Sequence, residues 1–308
     1  MFTNLNRITV YCKLFKRKTI QEFFTSLVIS LVTSKHVQYR SLALHLKGKV
    51  KLSSRIRRVE RFMCLAEFDY DHLFRNRSYF LPLGKVDLCM DRTEWDFGEL
   101  QVNLLVITAY CQGTGIPICF ETLDNNSGNS SPKDRKQLLE KAISILGKER
   151  IRSIIGDREF IGEKWIDSTM KAEITYYFRI PNNRIVTLSN GRKFKVSELL
   201  GDRKKAFLDN VFICGKWQSL ALGRKKKNGK EEIVSVITNG YARSALTSYK
   251  LRWSIEVFFQ SCKNRAFRLE ETHVMSHERL KKLFTIVCFA YSSCLRLGMY
   301  LDKKIEKG

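Results

Sequence analysis

The chain has 308 residues, 44% of them hydrophobic, which is enough to bury a core and to form two or three domains. Lys and Arg number 55 against 31 Asp and Glu, and the resulting net charge of +24 favours nucleic acid as partner over the alternative of a basic protein without a polyanionic partner. The nine cysteines are scattered without a CxxC pair or zinc spacing, so they indicate reduced thiols and a cytoplasmic protein.

Residues 1–80 predict a helical DNA-binding domain, because they lack strand patterns and hold 16 Lys and Arg against 5 Asp and Glu. Helices are expected near 20–33, 36–46 and 52–65. The apolar run within the first follows a long basic stretch and lacks a small-residue cleavage site, so it predicts a buried helix and not a signal peptide. The third helix suits a helix-turn-helix-like module, although any basic helical bundle gives this pattern. Its predicted DNA-binding side chains are Arg55, Arg57, Arg58 and Arg61.

Strand patterns begin near residue 86 and alternate with helical ones. The turn Gly113-Thr114-Gly115 separates two apolar runs and predicts a hairpin. The order β-β-β-α-β-α-β predicts a mixed sheet with helices on its faces. The predicted strands are 86–90, 102–110, 117–123, 151–155 and 174–180, and the predicted helices are 133–146 and 163–170.

The segment 181–240 predicts a β-rich subdomain of short strands and basic turns. Its strands are expected at 192–196, 211–213, 219–222 and 233–238, and the basic run 224–230 is expected to be a hairpin loop. A helix follows near 249–263, and two more are predicted at 276–286 and 287–301. The stretch 283–300 is apolar but contains Arg296 and two serines, so it predicts a core helix and no membrane partner.

A narrow stripe of the helix near 249–263 carries Tyr249, Arg252, Glu256 and Lys263. At about 100° per residue, these four positions span an arc of roughly 60°. A neighbouring arc carries apolar residues, so this helix packs by one face and presents polar groups on the next. A mixed-charge stripe of this kind is also what a solvated helix face gives.

Three carboxylates are expected to converge on this stripe. Asp91 and Asp157 each follow an apolar strand run, and Glu256 lies on the helix. Acids that directly follow strands point outward at the carboxyl end of the sheet, where α/β proteins place their sites. Such acids repel one another without a cation, and oxygen ligands select Mg²⁺ or Mn²⁺. For each acid taken alone, a turn or capping role is the alternative.

These residues resemble the DDE transposases of bacterial insertion sequences, specifically the insertion sequence 4 group. The stripe matches that group's Tyr-(2)-Arg-(3)-Glu-(6)-Lys signature. Similar blocks are Asp-Arg-Thr-Glu-Trp at 91–95, Gly-Asn-Ser at 128–130, Asp-Arg-Glu-Phe-Ile-Gly at 157–162, and Arg-Trp-Ser-Ile-Glu at 252–256 with Glu-Thr-His at 271–273. The resemblance runs from about residue 85 to the end and is weaker over the N-terminal helices.

The resemblance implies an α/β fold with an RNase H-like mixed sheet and helices on both faces. It also implies a β-rich insertion within that core and an α-helical DNA-binding domain before it. The expected domains are 1–80 for DNA binding, 81–180 for the first part of the core, 181–240 for the insertion and 241–308 for the helices that carry Glu256. Asp91, Asp157 and Glu256 would be the catalytic triad, binding two divalent ions, Mg²⁺ or Mn²⁺. The implied partners are double-stranded DNA of the element ends and target, and a second copy in a homodimer at the bacterial nucleoid.

The resemblance also implies a cut-and-paste reaction, in which water cleaves a phosphodiester at the element's end and the freed 3′-OH attacks target DNA. Arg252 and Lys263 would hold phosphates, and Tyr249 would bind a phosphate or pack a sugar. Arg252 and Glu256 alternatively form only an i,i+4 ion pair. Trp217 lies in a basic setting that suits stacking on an extruded base, with structural packing as the alternative.

Two other functions remain open at this point. One is a metal-dependent nuclease of the same fold that does not transfer strands. The N-terminal basic helices and the inserted strands argue against it, because simple duplex cleavage needs neither. The other is a non-catalytic DNA-binding protein derived from such an element, which the presence of all three acids gives no reason to prefer.

Overall fold

The first part of the chain is helical. The computed structural model, which describes residues 14–75, 81, 83–97, 100–123, 128–227 and 229–305, confirms the three predicted helices and adds a fourth. Phe24, Leu27 and Leu31 are buried at spacings of three and four residues, so the first helix packs by one face. The four helices are α1 Lys18–Ser34, α2 Tyr39–Leu44, α3 Leu52–Leu65 and α4 Tyr70–Arg75.

Five strands and two helices follow in the predicted order. The first three strands form an antiparallel meander, and the next two are parallel to the first. The strands are β1 Val86–Phe97, β2 Leu100–Cys111, β3 Thr114–Thr122, β4 Ile151–Gly156 and β5 Thr175–Arg179; the helices are α5 Pro132–Leu146 and α6 Glu163–Lys171. Ser131 caps α5, and its hydroxyl accepts a hydrogen bond from the Asp134 backbone N–H.

The segment 181–240 adds five strands to this same sheet. They are β6 Ile185–Thr187, β7 Lys193–Lys195, β8 Lys205–Ile213, β9 Lys216–Lys227 and β10 Lys230–Thr238. Because β10 pairs antiparallel with β5, the ten described strands run in the order β3-β2-β1-β4-β5-β10-β9-β8-β6-β7. The β-rich segment is therefore a lateral extension of the central sheet.

The basic run at 224–230 is a hairpin of two strands, and its prediction as a loop was wrong. β9 continues to Lys227, and β10 begins at Lys230. Across the hairpin, Lys225 pairs with Glu232 and Lys226 pairs with Glu231. Opposite charges on facing positions stabilise strand pairing, and this cross-strand effect is absent from the local charge pattern.

The end of the chain is helical again. It contains α7 Ala242–Tyr249, a 3₁₀ turn Lys250–Arg252, α8 Trp253–Gln260, a π turn Ser261–Arg265 and α9 His277–Ile305. The prediction of two helices at 276–286 and 287–301 was wrong, because no Gly or Pro interrupts the chain at their junction. By length and composition, His277–Asp302 could cross a membrane, but 61% of its most apolar window is buried in the protein, as in a core helix.

Helices cover both faces of the part of the sheet that β1, β2 and β3 form. The Cys89 thiol of β1 contacts the Leu251 carbonyl oxygen at 3.5 Å, at the start of α8. The Cys119 thiol of β3 contacts the Leu138 carbonyl oxygen in α5 at 3.7 Å. Through the strand register these two cysteines face opposite sides of the sheet. The predicted mixed sheet with helices on both faces is therefore present.

The N-terminal helices share a core with α9. Phe24 of α1 meets Phe289 of α9 edge to face, with 5.2 Å between ring centroids. The buried Lys282 ammonium of α9 donates to the Met63 carbonyl oxygen of α3 at 3.1 Å. Because these helices are packed on α9, their exposed faces have a fixed orientation relative to it.

Candidate active site

Asp91 lies where β1 loses one of its two neighbours. We predicted that β1 would end at this residue, and this was wrong, because β2 continues to pair with β1 as far as Phe97. The parallel ladder to β4 does stop there, and its last pair is Met90 with Gly156. Asp91 therefore lies within a strand but beside a gap in the sheet.

Asp157 directly follows β4, as predicted, and lies on the other side of this gap. The turn after it is closed by a hydrogen bond from the Phe160 N–H to the Asp157 carbonyl oxygen at 2.9 Å. Gly156 is needed for this turn, since a Cβ there would lie 2.8 Å from the Cβ of Phe160. The tight turn therefore holds Asp157 close to Asp91.

Glu256 is brought to the same place by α8. The apolar residues predicted for the packing arc are buried or partly buried, with Ile255 and Phe258 fully inaccessible. Gly115 allows the close approach of this helix, because a Cβ there would lie 3.1 Å from the Ser254 carbonyl oxygen. Glu256 faces the gap because the opposite side of α8 is fixed against the sheet.

Arg252 joins the three carboxylates. Its Nη1 lies 2.9 Å from Asp91 Oδ2 and 3.9 Å from Asp157 Oδ2, and its Nη2 donates to Glu256. The predicted i,i+4 ion pair with Glu256 is therefore present, but it is one of three ionic contacts. The Arg252 side chain is only 14% exposed. We call Arg252, Asp91, Asp157 and Glu256 the carboxylate cluster.

The two aspartates differ in their electrostatics. Burial, with added repulsion from Asp157 and Glu256, raises the pKa of Asp91 to about 6 despite the attraction of Arg252. Burial also acts to raise the pKa of Asp157, but Arg252, the Arg158 N–H and the Tyr249 hydroxyl outweigh it and lower that pKa. The Tyr249 hydroxyl donates to Asp157 Oδ1 at 3.0 Å. Asp157 is thus the better stabilised anion.

The cluster suits a divalent cation in charge and donor type. Three ionised carboxylates and one guanidinium leave a net charge of −3 + 1 = −2, and carboxylate oxygens are the donors that Mg²⁺ and Mn²⁺ prefer. Within the described ranges, no group of three or more His, Cys, Asp or Glu side chains is arranged so that it could hold a metal ion as it stands. Since the Arg252 guanidinium lies among the acids, a metal ion would have to displace it.

An open depression of about 470 Å³ adjoins the cluster. Lys263, the last residue of the predicted stripe, lies on its wall and not at the carboxylates. The Lys263 ammonium donates to the Glu94 carbonyl oxygen at 3.0 Å, lies 3.5 Å from a Glu270 carboxylate oxygen and stands 5.6 Å from the Trp95 ring centroid. The stripe therefore divides into Tyr249, Arg252 and Glu256, which belong to the cluster or contact it, and Lys263, which lines the depression away from Arg252.

The other predicted DNA contacts lie away from the cluster. Trp217 on β9 is 52% exposed, and its ring lies 5.5 Å from that of Phe212 on β8. In α3, Arg55 donates to the Leu44 and Leu46 carbonyl oxygens, so it closes the end of α2. Three more arginines of α3 are exposed: Arg57, Arg58, which lies over the Phe23 ring, and Arg61.

Sequence reasoning missed a second ionic group beside the site. Glu159, two residues after Asp157, accepts hydrogen bonds from the Ser130 N–H and hydroxyl and from Arg92. Both Glu159 and Ser130 stand in blocks that carried the resemblance, but nothing in their spacing indicates that they meet. Only the fold brings together residues 29 and 67 positions apart.

The sequence matches a known family, and the fold is similar to a solved structure. The family model of the transposase DDE domain matches residues 83–293. The fold is similar to the piggyBac transposase in a synaptic complex with hairpin DNA, at a TM-score of 0.54 and 10% identity, covering 96% of this chain and 71% of that one. The C-terminal lobe of a budding yeast Argonaute aligns with a TM-score of 0.26 at 12% identity, over 81% of this chain and 56% of that one, which is too low to indicate a shared fold. No curated protein sequence matches the chain significantly.

Proposed function

The chain belongs to the transposase DDE domain family, whose members are metal-dependent enzymes that cleave and transfer DNA, and from this premise we propose that it is a cut-and-paste transposase of the insertion sequence 4 group. In this proposal Asp91, Asp157 and Glu256 are the catalytic triad. The observation that carries the assignment is the convergence of these three acids, from β1, the end of β4 and α8, on one guanidinium.

Asp91, Asp157 and Glu256 would hold the divalent ions, because carboxylate oxygens are the donors that such ions prefer and all three side chains lie around Arg252. Bound there, Mg²⁺ supplies Lewis acidity and an activated water for phosphodiester hydrolysis, and a pair of ions would serve both the attacking and the leaving oxygen. Tyr249 orients the Asp157 carboxylate through its hydrogen bond and keeps it directed at the other members of the cluster.

Arg252 has two successive partners in this proposal. In DNA-free protein its guanidinium neutralises the carboxylates. With a divalent ion held by the carboxylates, the Arg252 guanidinium would be free to bind a phosphate of the DNA end, for which its planar donor set is well suited. Lys263, on the wall of the depression, would contact a second phosphate.

The far strands of the sheet would hold the distorted DNA end. Trp217 and Phe212 form an exposed aromatic pair on β9 and β8. Aromatic faces open to solvent bind unpaired bases by stacking, with about 1–3 kcal/mol per base. We assign this pair to an extruded base of the element end.

Duplex DNA would be bound by the exposed side of α3. Arg57 and Arg61 are the best candidates, because Arg55 is engaged with carbonyl oxygens at the end of α2. Arg57→Gln and Arg61→Gln should each reduce the slope of log affinity against log salt by about one. Lys148→Gln is the matched control, since Lys148 precedes β4 at the end opposite to Asp157. An unchanged slope in both arginine variants would move DNA binding off α3.

The function is tested by incubating the protein with Mg²⁺, a target plasmid and a DNA fragment that carries the flanking inverted repeats. Cleavage at the repeat ends followed by joining to the plasmid is the expected result, and a protein–DNA complex of two chains and two ends is expected on native gels. Nicking without joining would instead identify a nuclease. Binding without any cleavage would identify an inactive DNA-binding derivative.

A further inference from the structure

Glu159 is held on both of its carboxylate oxygens. Oε1 accepts from the Ser130 N–H at 2.9 Å and from the Ser130 hydroxyl at 2.7 Å, while Oε2 accepts from Arg92 Nε at 3.1 Å. The Arg135 guanidinium lies 4.0 Å from Oε1. With 14% of its side chain exposed, Glu159 has little freedom to exchange these partners for water. We call Glu159, Arg92, Arg135 and Ser130 the clamp.

The clamp connects the segments that carry the two aspartates. Arg92 directly follows Asp91, and its backbone N–H donates to Asp91 Oδ1 at 2.8 Å. Glu159 lies within the turn closed by the hydrogen bond between the Phe160 N–H and the Asp157 carbonyl oxygen. A displacement of Glu159 relative to Arg92 therefore changes the separation of the two aspartates.

Sheet pairing does not fix that separation. The parallel ladder between β1 and β4 ends at Met90 and Gly156, one residue before each aspartate. Beyond that point, the hydrogen bond between Arg92 and Glu159 spans the gap. Glu159 itself does not line the depression, so its effect on metal or DNA has to act through the aspartates.

Arg135 and the segment before α5 make the clamp rigid. Arg135 is 4% exposed, and its Nε donates to the Ser130 hydroxyl at 2.8 Å while its Nη2 donates to the Ser130 carbonyl oxygen. Asn103 of β2 donates to the Gly128 carbonyl oxygen at 3.2 Å. The segment before α5 is thus fastened to β2 and to Glu159, and Glu159 cannot move without breaking several buried hydrogen bonds.

We propose that Glu159 is a positioning residue that sets the distance between Asp91 and Asp157 through Arg92, and with it the affinity of the carboxylate cluster for divalent ions. This rests on the proposed function, in which the two aspartates are metal ligands. Residues that orient metal ligands typically contribute about 10- to 100-fold to metal affinity or activity, although they do not touch the ion.

The test measures Mn²⁺ binding to the DNA-free protein by the electron paramagnetic resonance of free Mn²⁺, in wild type, Glu159→Gln and Glu159→Asp. Glu159→Asp keeps the charge but shortens the side chain, so it separates geometry from simple electrostatic attraction. We expect both variants to bind Mn²⁺ about tenfold more weakly. Glu140→Gln is the control, because Glu140 is an exposed residue of α5 that pairs with Lys136.

The cleavage assay supplies a second measurement. In the Glu159 variants, the Mg²⁺ concentration for half-maximal cleavage should rise about tenfold, while cleavage at saturating Mg²⁺ and affinity for the DNA end stay near wild type. If Glu159→Gln fails to fold, Arg92→Lys removes the same Nε contact with the charge retained. Wild-type Mn²⁺ affinity in Glu159→Asp, or lower folding stability with unchanged Mn²⁺ affinity in both variants, would overturn the proposal. Failure of the proposed function is distinct, because it appears as a wild-type protein that does not cleave.

Discussion

The carboxylate cluster and the clamp lie side by side and contain the same kinds of charged group in different ratios. In the first, one guanidinium faces three carboxylates, with a net charge of −3 + 1 = −2. In the second, the Glu159 carboxylate faces the guanidinium groups of Arg92 and Arg135, and Arg92 also pairs with Glu94, so the net charge is −2 + 2 = 0. The first borders an open depression, which Arg92 of the clamp also lines, whereas Glu159 and Arg135 do not line it.

Because of this difference, the carboxylate cluster can exchange its ionic partners, whereas the clamp cannot. Buried like charges remain unfavourable until a cation balances them, and the raised pKa of Asp91 is a sign of that imbalance. In the clamp, each oxygen of Glu159 has a donor within hydrogen-bonding distance, so a further cation would gain little there. A binding site held rigid by a neighbouring, fully bonded cluster meets the geometric demands of metal-assisted catalysis.

The largest expected effect comes from neutralising one ligand of the cluster. Asp157→Asn keeps the size of the side chain but removes the better stabilised anion, so we expect cleavage to fall by on the order of 10³-fold, equivalent to about 4 kcal/mol in the activation free energy. Binding of the element end, measured by fluorescence anisotropy, should stay within about twofold, since α3 is unchanged. Asp167→Asn is the control, because Asp167 is an acid of α6 that pairs with Lys171 and Lys216. Full cleavage by Asp157→Asn would remove Asp157 from the triad.

Removing the central cation should make folding stability depend on metal. In Arg252→Gln, three acids lose their shared partner, and we expect the free energy of unfolding in EDTA to fall by about 3 kcal/mol. Mg²⁺ should restore much of this loss and should stabilise the variant more than wild type, because it no longer competes with the guanidinium. Urea unfolding with and without Mg²⁺ measures both effects, with the exposed Lys250→Gln as control. If Mg²⁺ leaves the free energy of unfolding of Arg252→Gln unchanged, the carboxylates do not form a cation site.

The clamp should respond to the loss of a cation in the opposite way. Arg135→Gln removes two hydrogen bonds to Ser130 and one ionic contact with Glu159, so we expect a loss of about 2 kcal/mol in the free energy of unfolding. Mg²⁺ should not restore it, since both oxygens of Glu159 keep their hydrogen-bond donors from Ser130 and Arg92. The same urea unfolding experiments measure this. Restoration by Mg²⁺ would mean that the two clusters are not distinct.

The convergence of the three acids could be predicted from the sequence because each lies at a position with a clear local signal. Asp157 follows a strand run directly, and Glu256 has a fixed angle relative to the apolar arc of its helix. The continuation of β1 beyond Asp91 could not be predicted, since it depends on pairing with β2, a non-local partner. The stripe likewise gave the angular position of Arg252 but not the groups that it faces.

The clamp could not be predicted for a related reason. Glu159 and Arg92 are 67 positions apart, and their side chains meet only because β1 and β4 are neighbours in the sheet. The same holds for the hairpin at 224–230, where Arg224 of β9 forms an ion pair with Glu231 of β10. Periodicity gives the face of an element, whereas ionic partners between elements depend on register and topology.

The smallest effect that we expect tests whether the cluster is electrostatically strained without metal. The pKa of Asp91 is raised from 3.8 to about 6, so the folded state binds this proton more tightly than the unfolded state. Ionisation of Asp91 therefore lowers stability as the pH rises from about 4 to about 6, and the loss persists above that range. Asp91→Asn should remove it and stabilise the protein in EDTA at pH 7 by about 1–2 kcal/mol, allowing for solvent screening of a partly exposed carboxylate. Urea unfolding at several pH values measures the difference, which should vanish near pH 4, where Asp91 is protonated in the folded state. An Asp91→Asn variant that is less stable than wild type at pH 7 would show that Arg252 already balances the cluster, and the contrast with the clamp would then lie in access and not in charge.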